Sequence, residues 1–136
     1  MTQRILIVDD DPNILAVLKV GVRTRYPGCS VTAVSNGFSA LERLQNMRQD
    51  GHIALMLTDL QMPGLTGLQL AKIVKDNWPA VPIVLMTGSH DTDRIQQQAD
   101  ALQLEGFLTK PFTLKSLDKF LTPHLKPATQ ISVEGK

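Results

Sequence analysis

Aromatic side chains are scarce in this 136-residue chain, at 4%, and two aromatic-poor halves of similar charge give no sign of a second domain. Cysteine is nearly absent. Cys29 stands alone and cannot form an internal disulfide. No apolar run approaches the roughly 20 residues that cross a bilayer, and the opening Met1-Thr2-Gln3-Arg4 shows no signal-peptide pattern. These lacks point together to a soluble protein of a reducing compartment, with a cytoplasmic location expected. Charge of one sign is also lacking. Fourteen basic residues stand against thirteen acidic ones, the net charge is +1, and the basic residues are scattered, so no footprint for nucleic acid is present. No internal repeat is visible.

What is present is an ordinary globular mixture, 43% apolar and 20% charged, long enough for one domain with a sizeable core. Ile5-Leu6-Ile7-Val8 is apolar on both faces, as a strand in the middle of a parallel sheet is. It stops at Asp9-Asp10-Asp11-Pro12, where Asp11 can cap a helix and Pro12 suits its first turn. Ile14, Leu15, Leu18 and Val22 follow at helical spacing up to Tyr26-Pro27-Gly28. Val31–Val34 reads as an edge strand, and Phe38, Leu41 and Leu44 mark a second helix that the Asp50-Gly51 region ends. Ala54–Thr58 is a buried strand running into Asp59, followed by a loop with Pro63-Gly64 and Gly67. A third helix carries Leu68, Ala71 and Val74 and ends before Trp78-Pro79. Ile83–Met86 is a fourth strand closed by Thr87-Gly88. A polar helix runs from about Asp91 to Leu102, Gly106–Thr109 is a short fifth strand ending in Lys110-Pro111, and Thr113 can cap a last helix with Leu114, Leu117 and Leu121.

Five strands alternating with five helices predict an α/β fold, a doubly wound parallel sheet with right-handed crossovers and helices on both faces. Such sheets place their sites at the carboxyl ends of the strands. Those ends supply Asp9 and Asp10, Asp59, Thr87 and Lys110. Three carboxylates converging in one pocket raise each other's pKa unless a cation neutralises them. Mg²⁺ suits a site with few carboxylates and room for water. Lys110 would add positive charge on the far side of Asp59, and Thr87 a hydroxyl. That set can perform phosphoryl transfer with Asp59 as nucleophile, Lys110 and the metal stabilising charge, and Thr87 binding a phosphoryl oxygen.

The segments Ile7-Val8-Asp9-Asp10-Asp11, Thr58-Asp59-Leu60-Gln61-Met62-Pro63-Gly64, Leu85-Met86-Thr87-Gly88 and Thr109-Lys110-Pro111-Phe112 resemble the response-regulator receiver domain of two-component signalling. The resemblance covers roughly residues 4 to 122. It implies a flavodoxin-like sheet of order 2-1-3-4-5 and transfer to Asp59 from a histidine kinase or a histidine phosphotransfer protein. By the same resemblance the chain is a signalling phosphoacceptor rather than an enzyme acting on a separate substrate. Asp10 and Asp59 would be direct Mg²⁺ ligands, Asp9 would act largely through water, and the Gln61 carbonyl would be a third protein ligand. The Lys110–Pro111 bond would be cis. Thr87 and Phe107 would form a switch that reshapes the face of helix four, strand five and helix five. Phe107 stands where many members carry Tyr, and so has no hydroxyl for a partner. Dimerisation through that face on phosphorylation is common in the family. Gln61 and Ser89 occupy positions that tune dephosphorylation.

Blander readings stand beside these. Asp11 is a cap before it is a ligand. His52, His90 and His124 lack ligand spacing and read as surface residues. Met47, Met56, Met62 and Met86 read as packing, and Gln96-Gln97-Gln98 as a solvated helix face. A phosphatase of the haloacid-dehalogenase type would use Asp9 and Asp11 as nucleophile and acid. It needs further carboxylates on a strand end after the lysine, where only Asp118 and Glu134 follow, and it leaves Asp59-x-x-Met62-Pro63-Gly64 unexplained. A degenerate receiver that only binds a partner would not need the complete site. The expected organisation is a receiver over 1–122 and a linker or tail over 123–136, carrying Pro127, Ala128, Thr129, Gln130 and Ser132.

Overall fold

The computed structural model describes residues 3–47 and 53–125. Five strands, β1 (Gln3–Val8), β2 (Cys29–Val34), β3 (Ile53–Asp59), β4 (Ile83–Thr87) and β5 (Gly106–Thr109), form one sheet in the order β2-β1-β3-β4-β5, with every pairing parallel. Five helices alternate with them: α1 (Pro12–Arg25), α2 (Gly37–Met47), α3 (Gly67–Asn77), α4 (Thr92–Ala101) and α5 (Leu114–Leu121). The doubly wound sheet expected from the alternation is thus present, in the order the resemblance implies.

The strand residues alternate between two apolar cores. Ile5, Ile7, Leu55, Leu57, Val84 and Met86 join Leu18 and Val22 of α1 and Leu117 and Leu121 of α5 on one face. Leu6, Val8, Met56 and Ile83 join Ala40 and Leu44 of α2 and Leu70, Ala71 and Val74 of α3 on the other. Because β1, β3 and β4 carry large apolar side chains in both directions, they are forced to the middle of the sheet. Each fully buried Leu or Ile contributes about 2 kcal/mol of transfer free energy. Leu125 is buried in the first core, so packed structure continues past residue 122. The expected tail beyond it, His52 and the Asp50-Gly51 helix stop lie outside the described residues.

Helix starts follow local chemistry. Asp11 caps α1, its Oδ1 accepting from the Asn13 amide at 2.9 Å, and Pro12 takes the first position. Thr66 with Gln69 and Thr113 with Ser116 form reciprocal capping boxes on α3 and α5. Each such cap stabilises its helix by about 1 kcal/mol.

Two expected apolar faces are corrected. Phe38 points outward, 65% exposed, because α2 buries Gly37, Ala40, Leu44 and Met47 instead. A Cβ on Gly37 would meet the Leu65 side chain at 2.7 Å, so that end of α2 seats directly on the loop before α3 and the ring beside it is turned away. On α3 the buried stripe is Gly67, Leu70, Ala71 and Val74, with Leu68 only half-buried.

Candidate functional site

The expected carboxylates, Thr87 and Lys110 lie at the carboxyl edge of the sheet, whereas Phe107 lies within β5. Asp9 follows β1, Asp59 ends β3, Thr87 ends β4 and Lys110 follows β5. Main-chain hydrogen bonds bind these ends together beyond the regular ladders. The Asp9 amide donates to the Val34 carbonyl at 3.2 Å, the Leu60 amide to Met86 at 2.7 Å, and the Lys110 amide to Thr87 at 2.6 Å. The Lys110–Pro111 peptide bond is cis.

The buried polar side chains of the described residues are Asp9, Thr58, Asp59 and Thr87. All four lie on this edge. Carboxylate oxygens of Asp9, Asp10 and Asp59 lie within 4.8 Å of one another, with Asp10 exposed and the other two buried. Lys110 does not stand simply behind Asp59 as the sequence led us to expect. Its ammonium donates to Asp9 Oδ2 at 2.8 Å and pairs with Asp59 Oδ1 at 3.3 Å, so it bridges two strands. The other Asp9 oxygen accepts from the Asp11 amide at 2.9 Å.

One cation therefore pairs with two of three clustered carboxylates. Burial and the charge of Asp9, with a smaller push from Asp10, raise the Asp59 carboxyl above the ordinary range against the pull of Lys110. Burial alone would lower the Lys110 ammonium, but its hydrogen bond to Asp9 and the charges of Asp59 and Asp9 prevail and raise it. The excess negative charge and the all-oxygen donor set fit a hard divalent cation such as Mg²⁺, which takes one or two carboxylates and keeps waters. Asp10, being exposed, and Asp59 are the carboxylates free to turn toward such an ion, since Asp9 is already held from both sides.

Thr87 is buried, and its Oγ1 accepts from the Ser89 amide at 3.0 Å. Gln61 is exposed on the loop after β3 and shares a small cavity with Ser89, Arg94 and Gln98. Phe107 is half-buried in a groove between α4 and α5 beside Phe112 and Phe120. The geometry disfavours the phosphatase alternative. Asp9 is locked by Lys110 and the Asp11 amide, and Asp11 is spent as the α1 cap. His90 is exposed, His124 is half-buried beside Glu105, and the four expected packing methionines are buried.

Two residues of this edge escaped the sequence reading. Thr58 read only as the end of a buried strand and the first residue of a family-like segment, with no role of its own. It is fully buried, and its hydroxyl donates to the Asp59 carbonyl at 3.1 Å. Gly67 read only as a loop marker. A Cβ there would sit on the Asp59 carbonyl oxygen and 2.8 Å from Leu60 Cα. A polar residue in an otherwise greasy strand was the one available signal for Thr58; the close approach at Gly67 had none.

A family model described as the response regulator receiver domain matches residues 5–122. The DNA-binding response regulator MtrA of Mycolicibacterium smegmatis is 30% identical over 98% of this chain and 57% of its own length. The transcription factor SKN7 of Candida albicans is 32% identical over 89% of this chain and 20% of its own. The chain thus spans little more than half of the first relative. Among solved structures, the chemotaxis response regulator CheY4 of Vibrio cholerae superposes with a TM-score of 0.77 at 25% identity, covering 92% of this chain and all of that one. No helix of the described residues is long and apolar enough to cross a membrane. With the family model matching nearly the whole described chain and the site assembled at its sheet edge, the chain belongs to the response regulator receiver domain family.

Proposed function

We propose that this chain is the phosphoacceptor of a two-component relay, with Asp59 taking a phosphoryl group from a histidine kinase or histidine phosphotransfer protein. The observation that carries the reading is the three-carboxylate cluster with Lys110 3.3 Å from Asp59, at the one edge where the sheet buries polar side chains. An Asp59 oxygen attacks phosphorus, the phosphorus–nitrogen bond of the donor breaks, and the imidazole leaves with that electron pair. Lys110 sits where it can pair with a phosphoryl oxygen, exchanging its contact with Asp9 for one to the new dianion. Thr87 offers a hydroxyl, and Gly88 leaves space for the group to approach backbone N–H donors.

Asp10 and Asp59 would hold Mg²⁺ directly, with Asp9 acting through water and the Gln61 carbonyl as a further ligand. When bound, the ion supplies neutralisation of the charge that gathers on the phosphoryl oxygens. Output would pass through Thr87 and Phe107 to the face of α4, β5 and α5, where a shift of Thr87 leaves room for the Phe107 ring. Self-association on phosphorylation would use the same face. With a net charge of +1, no nucleic acid is bound by this segment, and a cytoplasmic location fits. Residues 1–122 would be the receiver, with Leu125 still packed against it, and the rest of 123–136 a linker or tail.

The test is phosphorylation by acetyl phosphate with and without Mg²⁺, read by intact mass and peptide mapping, beside a beryllofluoride titration followed by NMR. A Mg²⁺-dependent mass gain mapped to Asp59 is expected. No gain and no saturable response would leave a receiver that serves only as a binding module.

A further inference from the structure

The main-chain carbonyl of Asp59 is enclosed from behind. On one side the buried Thr58 hydroxyl donates to it at 3.1 Å. On the other, α3 begins so close that a Cβ on Gly67 would overlap the carbonyl oxygen and lie 2.8 Å from Leu60 Cα. The Gly67 amide donates to the Leu60 carbonyl at 2.9 Å, and the Leu60 amide donates to Met86 at 2.7 Å. The α3 start is itself fastened by the Thr66–Gln69 capping box. The peptide unit leaving Asp59 is therefore fixed by a hydroxyl, a close-packed helix turn and a hydrogen-bond chain reaching β4 next to Thr87. Fixing that carbonyl fixes ψ of Asp59, and with it the direction in which the carboxylate leaves the main chain.

We propose that Thr58 and Gly67 are positioning residues for the phosphoacceptor: they hold the Asp59 main chain so that its carboxylate meets Asp10, Asp9 and Lys110. Both meet the Asp59 main-chain carbonyl rather than its carboxylate. The inference rests on the assignment of Asp59 as phosphoacceptor and deepens it. Gly67 is distinguished from other tightly packed glycines by what it meets. A methyl on Gly37 or Gly21 would touch only the flexible Leu65 or Leu114 side chains, whereas one on Gly67 meets main chain that cannot swing aside.

The experiment compares wild type with Thr58→Val, Thr58→Ser, Gly67→Ala and Gly37→Ala in the full chain. Three quantities are read per folded molecule after urea titration: the Leu60 and Gly67 amide chemical shifts without metal, the Mg²⁺ dissociation constant by calorimetry, and the acetyl phosphate rate at Asp59. Small displacements of a reacting group carry large rate costs, so Thr58→Val should slow phosphorylation about tenfold and weaken Mg²⁺ several-fold, with both amide shifts moved. Thr58→Ser keeps the hydroxyl and should stay within about twofold of wild type, while Gly67→Ala should lose more than Thr58→Val. Gly37→Ala should lower stability alone.

Thr58→Val with wild-type affinity and rate, or Thr58→Ser falling as far as Thr58→Val, overturns the proposal in favour of simple packing. If Gly67→Ala does not fold, the Val and Ser pair decides it. A wild type that fails to label at Asp59 overturns the phosphoacceptor reading itself, a result distinct from equal behaviour of the variants.

Discussion

Two cation–carboxylate contacts in this molecule place similar groups side by side, yet the carboxyls in them shift in opposite directions. Arg25 at the end of α1 pairs with Asp118 on α5, and the Tyr26 hydroxyl also donates to Asp118 at 2.8 Å. Hydrogen bonding from Arg25 holds Asp118 below the ordinary carboxylate range. Lys110 pairs with Asp9 and Asp59, yet Asp59 is raised. The difference is stoichiometry and burial. Asp118 is well supplied with donors at a solvated surface, whereas Asp59 is buried and shares one ammonium with Asp9. The first contact is satisfied in the folded chain, and the second is left short of positive charge, a condition that favours a bound cation there.

The sharpest break is Asp59→Asn, because an amide is a far poorer nucleophile. Complete loss of covalent phosphate is expected by intact mass, and phosphate retained on that variant would show that another group is the acceptor. Next comes Lys110→Ala. It removes the one cation the buried carboxylates share, so the metal-free protein should lose about 2 kcal/mol in urea denaturation, and the phosphorylation rate should fall by roughly two orders of magnitude. Mg²⁺ binding should survive, since the oxygen ligands remain. Loss of Mg²⁺ affinity with an unchanged rate would give Lys110 a different role.

The pH dependence separates the two contacts by sign. A carboxyl raised in the folded state keeps its proton longer than in the unfolded chain, so Asp59 makes metal-free stability fall as pH climbs from the ordinary carboxylate range to its raised value. Asp118, lowered when folded, does the reverse. Its contribution is present above the ordinary range and is lost as acidification passes its depressed value. Urea midpoints across this interval, with Asp59→Asn erasing the falling branch and added Mg²⁺ suppressing it, test the assignment. A stability profile that Asp59→Asn leaves unchanged would count against a strained carboxylate at this position.

The surface contact should respond least. Tyr26→Phe removes a hydroxyl that donates to Asp118 and lies 3.3 Å from the Thr122 hydroxyl, and should cost about 1 kcal/mol. Arg25→Ala at an exposed pair should move the urea midpoint less still, with the small effect fading in salt. Arg25→Ala costing more than Tyr26→Phe would mean that the guanidinium carries the contact.

The order of elements and the residues at the strand ends were legible in the sequence, because doubly apolar strands and their abrupt polar stops are local signals. The strand order was not contained in those signals and came through the family resemblance. Phe38 shows where periodicity misleads: at a helix start, either Gly37 or Phe38 can begin a helical buried face, and only the seating of Gly37 on Leu65 decides. The bridging position of Lys110 was equally unreadable, since a short loop after β5 leaves an ammonium on a flexible stem free to meet Asp9 as well as Asp59. Thr58 and Gly67 meet the main chain of Asp59 rather than its carboxylate, and no residue type announces that.

The shallow anchorage of α4 carries a consequence for motion. Within its own span it buries Ile95 and Ala99, while α3, one residue longer, buries Gly67, Leu70, Ala71 and Val74. Fewer apolar contacts resist its opening, so protium on its main chain should exchange for deuterium sooner than on α3. The helix flanking the groove around Phe107 is in that sense a looser cover for the sheet than α3.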